Sequence, residues 1–275
     1  MDIESNLCKD ISLVPENIIA SDLRCLKRPI GCYNIMYIPE TGSTNDLAKT
    51  MAKQKNAPHG TVIISDCQHS GRGKGRSQWF SPPGLNIYIS VILRPETGFP
   101  QTLMNVISSL SVVSAIKETC NLTVWPKWPN DIYCGNKKLG GILAESSVAG
   151  NSLSYIVTGI GINVNVTAFP DSLNDTATSI SLETNKNFER GNIVESLLKY
   201  FINYCEQLKH DKHSLVKTWE SISRTINSTI TIQTVSEALS GRAVGINEDG
   251  FLIVKKPDGT SVLLKSGEIT HVVGN

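Results

Sequence analysis

Apolar positions along the chain follow two different periods, and the changes between them outline its elements. YNIMYI (33–38), TVIISDC (61–67) and LNIYISVILRP (85–95) are apolar runs of strand length, rich in β-branched residues. PETGSTN reads as a turn after the first run, with a helix predicted from about Asn45 to Lys55. After Pro100, residues Leu103, Val106, Ile107, Leu110, Val113 and Ile116 recur at helical spacing. Alternating and apolar runs at 123–127, 130–134, 139–146 and 153–165, broken by Gly and Asn turns, predict a meander of strands. Ile193, Leu197, Leu198, Phe201, Cys205 and Leu208 mark a second amphipathic helix, and Leu215 to Ser223 a third.

From about Asn227 the texture changes. STITIQT, GRAVGI, GFLIVKK and SVLLKS are short strands separated by the tight-turn signals Glu-Asp-Gly (248–250) and Pro-Asp-Gly (257–259). This predicts a small all-β unit of about five strands. The organisation read from the pattern is an extension with a short helix (1–30), a larger domain (31–225) and a small β domain (226–275). The larger domain mixes strands and helices without strict βαβ alternation, so its class is α+β, a mixed sheet flanked by helices.

Composition narrows the function without naming it. The chain has 275 residues and a formal net charge of +1, so nothing global recruits a polyanion. Its seven cysteines include no C-x-x-C pair and several sit in apolar runs, which reads as small core residues in a reducing compartment. His210 and His213 fall in the charged run KHDKH, a solvated helix end. The acidic start MDIESNLCKD lacks the features of a signal peptide, and no apolar stretch reaches the length of a membrane span. The expected location is the cytoplasm, with neither a membrane nor a nucleic-acid partner.

Against that neutral background one run stands out: QHSGRGKGRSQWF (68–80), where Gly71, Gly73 and Gly75 alternate with Arg72, Lys74 and Arg76 ahead of Trp79. Glycines let backbone N–H groups turn toward an anion, and the cations add charge. Its spacing is neither G-x-G-x-x-G nor a P-loop, since Lys74 precedes Gly75. Read alone, its bland alternative is a flexible surface hairpin. KWPNDIYCGNKKLGGILAE (127–145) sets Lys127, Asn130, Asp131, Lys137 and Lys138 among apolar strand residues. TGSTN (41–45) brings small polar side chains to a strand–helix junction, where they serve as helix caps or ligand donors.

Together these segments resemble the biotin–protein ligases. The likeness runs from about residue 33 to the C-terminus and is carried by GSTN (42–45), GRGKGRSQWFSPPGLNIYIS (71–90), KWPNDIYCGNKKLGGILAE (127–145), GIGINVN (159–165) and SGEI (266–269). The resemblance implies a class II synthetase-like catalytic domain and a C-terminal SH3-like β-barrel. It implies two reactions: biotin and Mg·ATP give biotinoyl-5′-AMP and pyrophosphate, then a lysine of a carboxylase's biotin-carrier domain takes the biotin. The first presses two anions together, at a cost of about 4 kcal/mol per charge pair at ~4 Å in a surface-like dielectric. Arg72 and Lys138 are the cations expected to offset it, as the catalytic pair.

By the same resemblance, biotin is expected to meet Ser43, Thr44, Asn45, Gln68, Arg72, Gly73, Lys74, Lys138, Gly141, Gly159 and Gly161. ATP and the adenylate are expected to meet Arg72, Lys74, Arg76, Trp79, Lys127, Asn130, Asp131, Lys138 and Asn163. Magnesium enters with ATP, near Asp131, although Asn130 and Asp131 equally suit orienting Lys138. Two departures are visible. Lys74 stands where the family loop usually has arginine, and Arg76 where many members have glycine. The roughly 30 leading residues are also too few for the winged helix-turn-helix of the repressor members, so DNA binding is not expected. Lipoate ligases share the architecture but lack these motifs. A non-catalytic biotin-binding descendant would be marked by loss of Arg72 or Lys138, and both are present.

Overall fold

The computed structural model describes residues 34–54, 57–75, 77–94, 99–149, 152–234 and 237–273. The leading extension and Arg76 lie outside them. In chain order the elements are β1 (Asn34–Thr41), α1 (Thr44–Lys53), β2 (Thr61–Gln68), β3 (Ile87–Leu93), α2 (Thr102–Cys120), β4 (Trp125–Lys127), β5 (Asp131–Cys134), β6 (Lys137–Ala149) and β7 (Ser152–Ile162). Three helices follow, α3 (Ile180–Thr184), α4 (Arg190–His210) and α5 (Lys212–Ile222). The chain then forms β8 (Thr229–Gln233), β9 (Ala238–Ile246), β10 (Leu252–Lys255), β11 (Ser261–Leu264) and β12 (Glu268–Val273).

β1 to β7 form one mixed sheet in the order β1-β2-β3-β7-β6-β5-β4. Only β1 and β2 run parallel, joined by α1; β4 to β7 are the expected antiparallel meander. β3 is buried at every position because helices cover both faces of the sheet. Residue parity sorts the faces: Val62, Ile64 and Val91 pack with α2 and α4, whereas Ile63 and Ile92 pack with Ala48 and Ala52 of α1.

Two expectations need adjusting. β1 runs through Pro39 and Glu40 to Thr41 instead of turning at 39, because β1 is an edge strand and proline is tolerated there. The five-residue α3 was not expected from the pattern, being too short to show a period.

β8 to β12 form a separate five-stranded antiparallel sheet in the order β11-β10-β9-β8-β12, consistent with the SH3-like expectation. Both tight turns close with glycine at positive φ, Gly250 at 79° and Gly259 at 86°. Ile230, Ile232, Leu252 and Val254 of this sheet belong to the same buried cluster as Trp128, Val216 and Trp219. Trp128 Nε1 donates to Gly250 O at 3.1 Å across the join. No helix among the described residues is long and apolar enough to cross a membrane.

Candidate active site

The three motifs meet at one cavity. Ser43, Thr44 and Asn45 open α1, Gln68 ends β2, and Tyr88, Gly141, Gly159 and Gly161 face the same space from β3, β6 and β7. The glycine-rich run folds over it. A cavity of ≈ 40 Å³ remains, room for a few waters.

One end is neutral and tightly bonded. Ser43 occupies the N-cap position of α1 but its side chain caps nothing, and it is only 3% exposed. Thr44 N–H donates to Gln68 Oε1 at 2.9 Å, and Gln68 Nε2 donates to Ser81 Oγ at 3.1 Å. Ser90 Oγ lies 2.8 Å from Thr44 Oγ1 and 2.6 Å from Asn45 Oδ1. Asn45 Nδ2 donates to Leu143 O at 3.0 Å and to Glu145 Oε2 at 3.1 Å. Gly159 makes room for this amide, since a Cβ there would stand 2.2 Å from Asn45 Oδ1.

Residues 71–75 and 77–79 pair as the two sides of a hairpin. Gly73 N–H donates to Ser77 O at 2.8 Å and Trp79 N–H to Gly71 O at 2.9 Å, with Gly75 at φ 67° in the tip. Arg72 fastens it: Nη1 donates to Asp46 Oδ1 at 2.6 Å and Nη2 to Glu145 Oε1 at 2.9 Å. Lys49 bridges the same two carboxylates at 2.8 and 3.0 Å. Burial opposes ionisation of Asp46 and Glu145, but these cations prevail and hold both carboxyls below their usual values. At its tip Lys74 Nζ donates to Gly267 O at 2.7 Å, joining hairpin and small sheet.

Trp79 lies on a floor that only glycine permits: a Cβ on Gly161 would stand 2.7 Å from its indole, and one on Gly141 3.0 Å. Its Nε1 is buried without a hydrogen-bond partner.

The other end is charged. Lys138 Nζ stands 2.6 Å from Asp131 Oδ1 and 5.5 Å from the Trp79 ring centroid. That contact is an ion pair without an aligned hydrogen bond, and Asp131 Oδ1 is otherwise buried and unpartnered. Lys127 lies behind, over the Tyr133 ring at 4.8 Å. Burial, then the Lys138 cation, hold Lys127 below its usual value against the pull of Asp131 and Glu268. Burial and the same two carboxylates push the Tyr133 hydroxyl up to about 12.

Of the expected residues, Ser43, Thr44, Asn45, Gln68, Arg72, Gly73, Lys74, Trp79, Asn130, Lys138, Gly141, Gly159 and Gly161 line the cavity. Asp131 adjoins it through Lys138, whereas Lys127 meets Tyr133 and is not among the lining residues. Asn163 is not brought there: it is 4% exposed and donates to Thr178 O at 3.0 Å. Three partners went unread. Ser90, a polar residue inside the apolar IYISVIL, was the available signal; Glu145 closes a motif without an assigned part; Asp46 is one position past GSTN.

The comparisons agree with this geometry. Residues 37–163 match the Biotin/lipoate A/B protein ligase family and residues 225–272 the Biotin protein ligase C terminal domain. The bifunctional ligase/repressor BirA of Bacillus subtilis is 31% identical over 250 residues, spanning 89% of this chain and 77% of that one. The biotin–[acetyl-CoA-carboxylase] ligase of Paracoccus denitrificans is 25% identical over 233 residues, 82% of this chain and 96% of its own. The structure of Aquifex aeolicus biotin protein ligase in complex with biotin and ATP superposes with a TM-score of 0.73 at 27% identity, covering 88% of this chain and 99% of that one. With the fold, both segments of the family and a relative across nearly its whole length in agreement, this chain belongs to the biotin protein ligase family.

Proposed function

We propose that this protein activates biotin with ATP and transfers it to a lysine of a carboxylase's biotin-carrier domain. The observation that carries the reading is that one cavity joins a neutral hydrogen-bonding end to a cationic end under a single hairpin. A carboxylate oxygen of biotin attacks the α-phosphorus of ATP; the new C–O–P linkage forms as the α–β P–O bond breaks and pyrophosphate leaves. The carrier's neutral lysine amine then attacks the acyl carbon, AMP departs with the C–O bond electrons, and the amine loses a proton as the amide forms.

Thr44, Asn45 and Gln68 supply fixed donors and acceptors for the ureido ring, oriented before the ligand arrives by Ser90, Ser81 and Glu145. Lys138 stands nearest the reacting groups and meets charge as it moves from carboxylate to leaving pyrophosphate. Asp131 aims it. Magnesium carried by ATP would be held near the Asp131 carboxylate, a hard-oxygen donor whose buried Oδ1 is ion-paired with Lys138 but makes no hydrogen bond, and would neutralise phosphate charge there. No group of three or more His, Cys, Asp or Glu side chains among the described residues forms a metal site of its own.

The ≈ 40 Å³ left under the hairpin is far below the ~300 Å³ of a small-molecule site, so ligands enter when the hairpin and Trp79 lift. Arg72 then serves as latch as well as charge, and closure keeps water from a reactive mixed anhydride. The free thiols Cys67, Cys120, Cys134 and Cys205 support a reducing compartment, the cytoplasm.

The test is biotin-dependent exchange of labelled pyrophosphate into ATP, together with the mass of a biotin-carrier domain before and after incubation. Exchange with biotin and a mass increase on the carrier are expected. Exchange with lipoate instead, or binding without exchange, would sink the reading.

A further inference from the structure

Two cations beside the active site hold one pair of carboxylates, and they hold it by the same atoms. Asp46 Oδ1 meets Arg72 Nη1 at 2.6 Å and Lys49 Nζ at 2.8 Å. Glu145 Oε1 meets Arg72 Nη2 at 2.9 Å and Lys49 Nζ at 3.0 Å. A carboxylate oxygen has two lone pairs, so both donors fit at once. Sharing nevertheless brings like charges together, and each cation has less of the carboxylates than it would have alone. Burial favours the neutral amine of Lys49, but Asp46 and Glu145 prevail and hold it above its usual value, so its charge is present at neutral pH. The two cations differ in where they are anchored. Arg72 belongs to the glycine-rich hairpin, whereas Lys49 and Asp46 are one turn apart on α1 and Glu145 is on β6.

That difference matters when the hairpin lifts, because Arg72 leaves with it and the other three groups stay on the scaffold. With Lys49 in place, the open state keeps a cation between the two carboxylates. Without it, opening sets two anions against each other with no cation to share. Neither escapes readily by protonation. Asp46 lies in the first turn of α1, where the helix N-terminus favours negative charge, and Glu145 accepts from the Asn45 amide at 3.1 Å. We propose that Lys49 is a positioning residue that competes with Arg72 for Asp46 and Glu145 and so eases the hairpin open. The inference rests on the reading of Arg72 as a latch, and it fixes a sign: loss of Lys49 tightens closure, where loss of an ordinary stabilising ion pair would loosen it. A latch that retains a reactive adenylate must still admit biotin and ATP, and a resident competitor meets both needs.

The experiment follows release of adenylate formed on the full chain from labelled biotin and ATP, then chased with unlabelled biotin, with Arg72→Gly measured alongside. Lys49→Met and Lys49→Gln each remove the charge and keep a good helix former. Both should release adenylate about threefold more slowly than the parent, a modest change because these side chains are partly exposed. Slowing in one of them suffices, since misfolding only quickens release. Lys49→Arg keeps the charge and should release adenylate no more slowly than the parent. In the double variant, Lys49→Met with Arg72→Gly, the slowing should vanish because there is no latch left to tighten. Release unchanged or faster in both neutral variants, with Arg72→Gly fast, overturns the role given to Lys49 and leaves the latch standing. Slowing that persists in the double variant overturns it too, by placing the effect away from Arg72. Release from Arg72→Gly at the parent's rate removes the latch, and this proposal with it. A parent that forms no adenylate would sink the function reading and everything that rests on it.

Discussion

The two ends of the active-site cavity solve opposite problems with opposite materials. Thr44, Asn45 and Ser90 are buried and, with the half-buried Gln68, carry no charge of their own and are bonded within 3.2 Å. The one carboxylate they meet, Glu145, is offset by Arg72 and Lys49. Around Lys138, three lysines (Lys74, Lys127 and Lys138) share the field of only two carboxylates, Asp131 and Glu268. A uniform ligand part needs fixed partners, and satisfied partners do not move. A reacting centre needs charge held in reserve, and an underpaired cation costs the free enzyme something that the phosphates relieve. The lesson is that recognition and catalysis are separable here by substitution.

The largest effect is expected at the charged end. Lys138→Ala should lower biotin-dependent pyrophosphate exchange by about 10²–10³ while biotin affinity changes little. Comparable losses in both would merge the two ends into one unit. At the neutral end, Gly159→Ala forces the Asn45 amide from its place and breaks bonds to Ser90, Leu143 and Glu145. Leaving such groups unpaired costs about 1–3 kcal/mol, so biotin should bind roughly tenfold to a hundredfold more weakly, with ATP affinity spared. Equilibrium binding of each ligand decides.

The latch between the ends should matter less to synthesis than to retention. Arg72→Gly removes both carboxylate contacts of a partly exposed arginine, and release of adenylate should quicken by about tenfold. Its signature is biotin appearing on bystander proteins such as serum albumin; adenylate held as firmly as in the parent would deny the hairpin this part. The smallest effect concerns pH. Lys127 titrates below its ordinary 10.5, so its charge is a burden on folding below that lowered value and none above 10.5. Bound phosphate favours the ammonium. The Michaelis constant for ATP should therefore rise severalfold as pH climbs through the lowered value, and Lys127→Arg should flatten that limb.

Sequence periodicity was enough for the long helices α2 and α4 and for the β4–β7 meander, because burial there repeats over many residues. Gly250 and Gly259 were legible as turns for a local reason, the backbone angle they adopt. The cavity lining was legible mostly through resemblance, which carries long-range juxtaposition that composition lacks. What stayed hidden pairs residues far apart in the chain. Arg72 meets Glu145 73 positions later, and Arg190 meets Asp66 124 positions earlier at 2.7 Å. Nothing local to either arginine names its partner. Asn163 illustrates the converse, a polar residue inside a matching motif whose amide is used by the scaffold.

The buried cluster shared by both sheets bears on how the molecule comes apart. Trp128, Val216 and Trp219 of the large unit are packed in one continuous core with Ile230, Ile232 and Val254 of the small one. Neither sheet can expose its inner face without stripping the other, so melting should be cooperative across the join. Calorimetry should record one transition whose van't Hoff and calorimetric enthalpies agree; two resolved transitions would mean that the join opens first. One transition would make the C-terminal sheet the last piece of a single folding unit, less a module fastened to an enzyme. A chimera that exchanged it for a relative's would have to bring the matching tryptophan contacts with it.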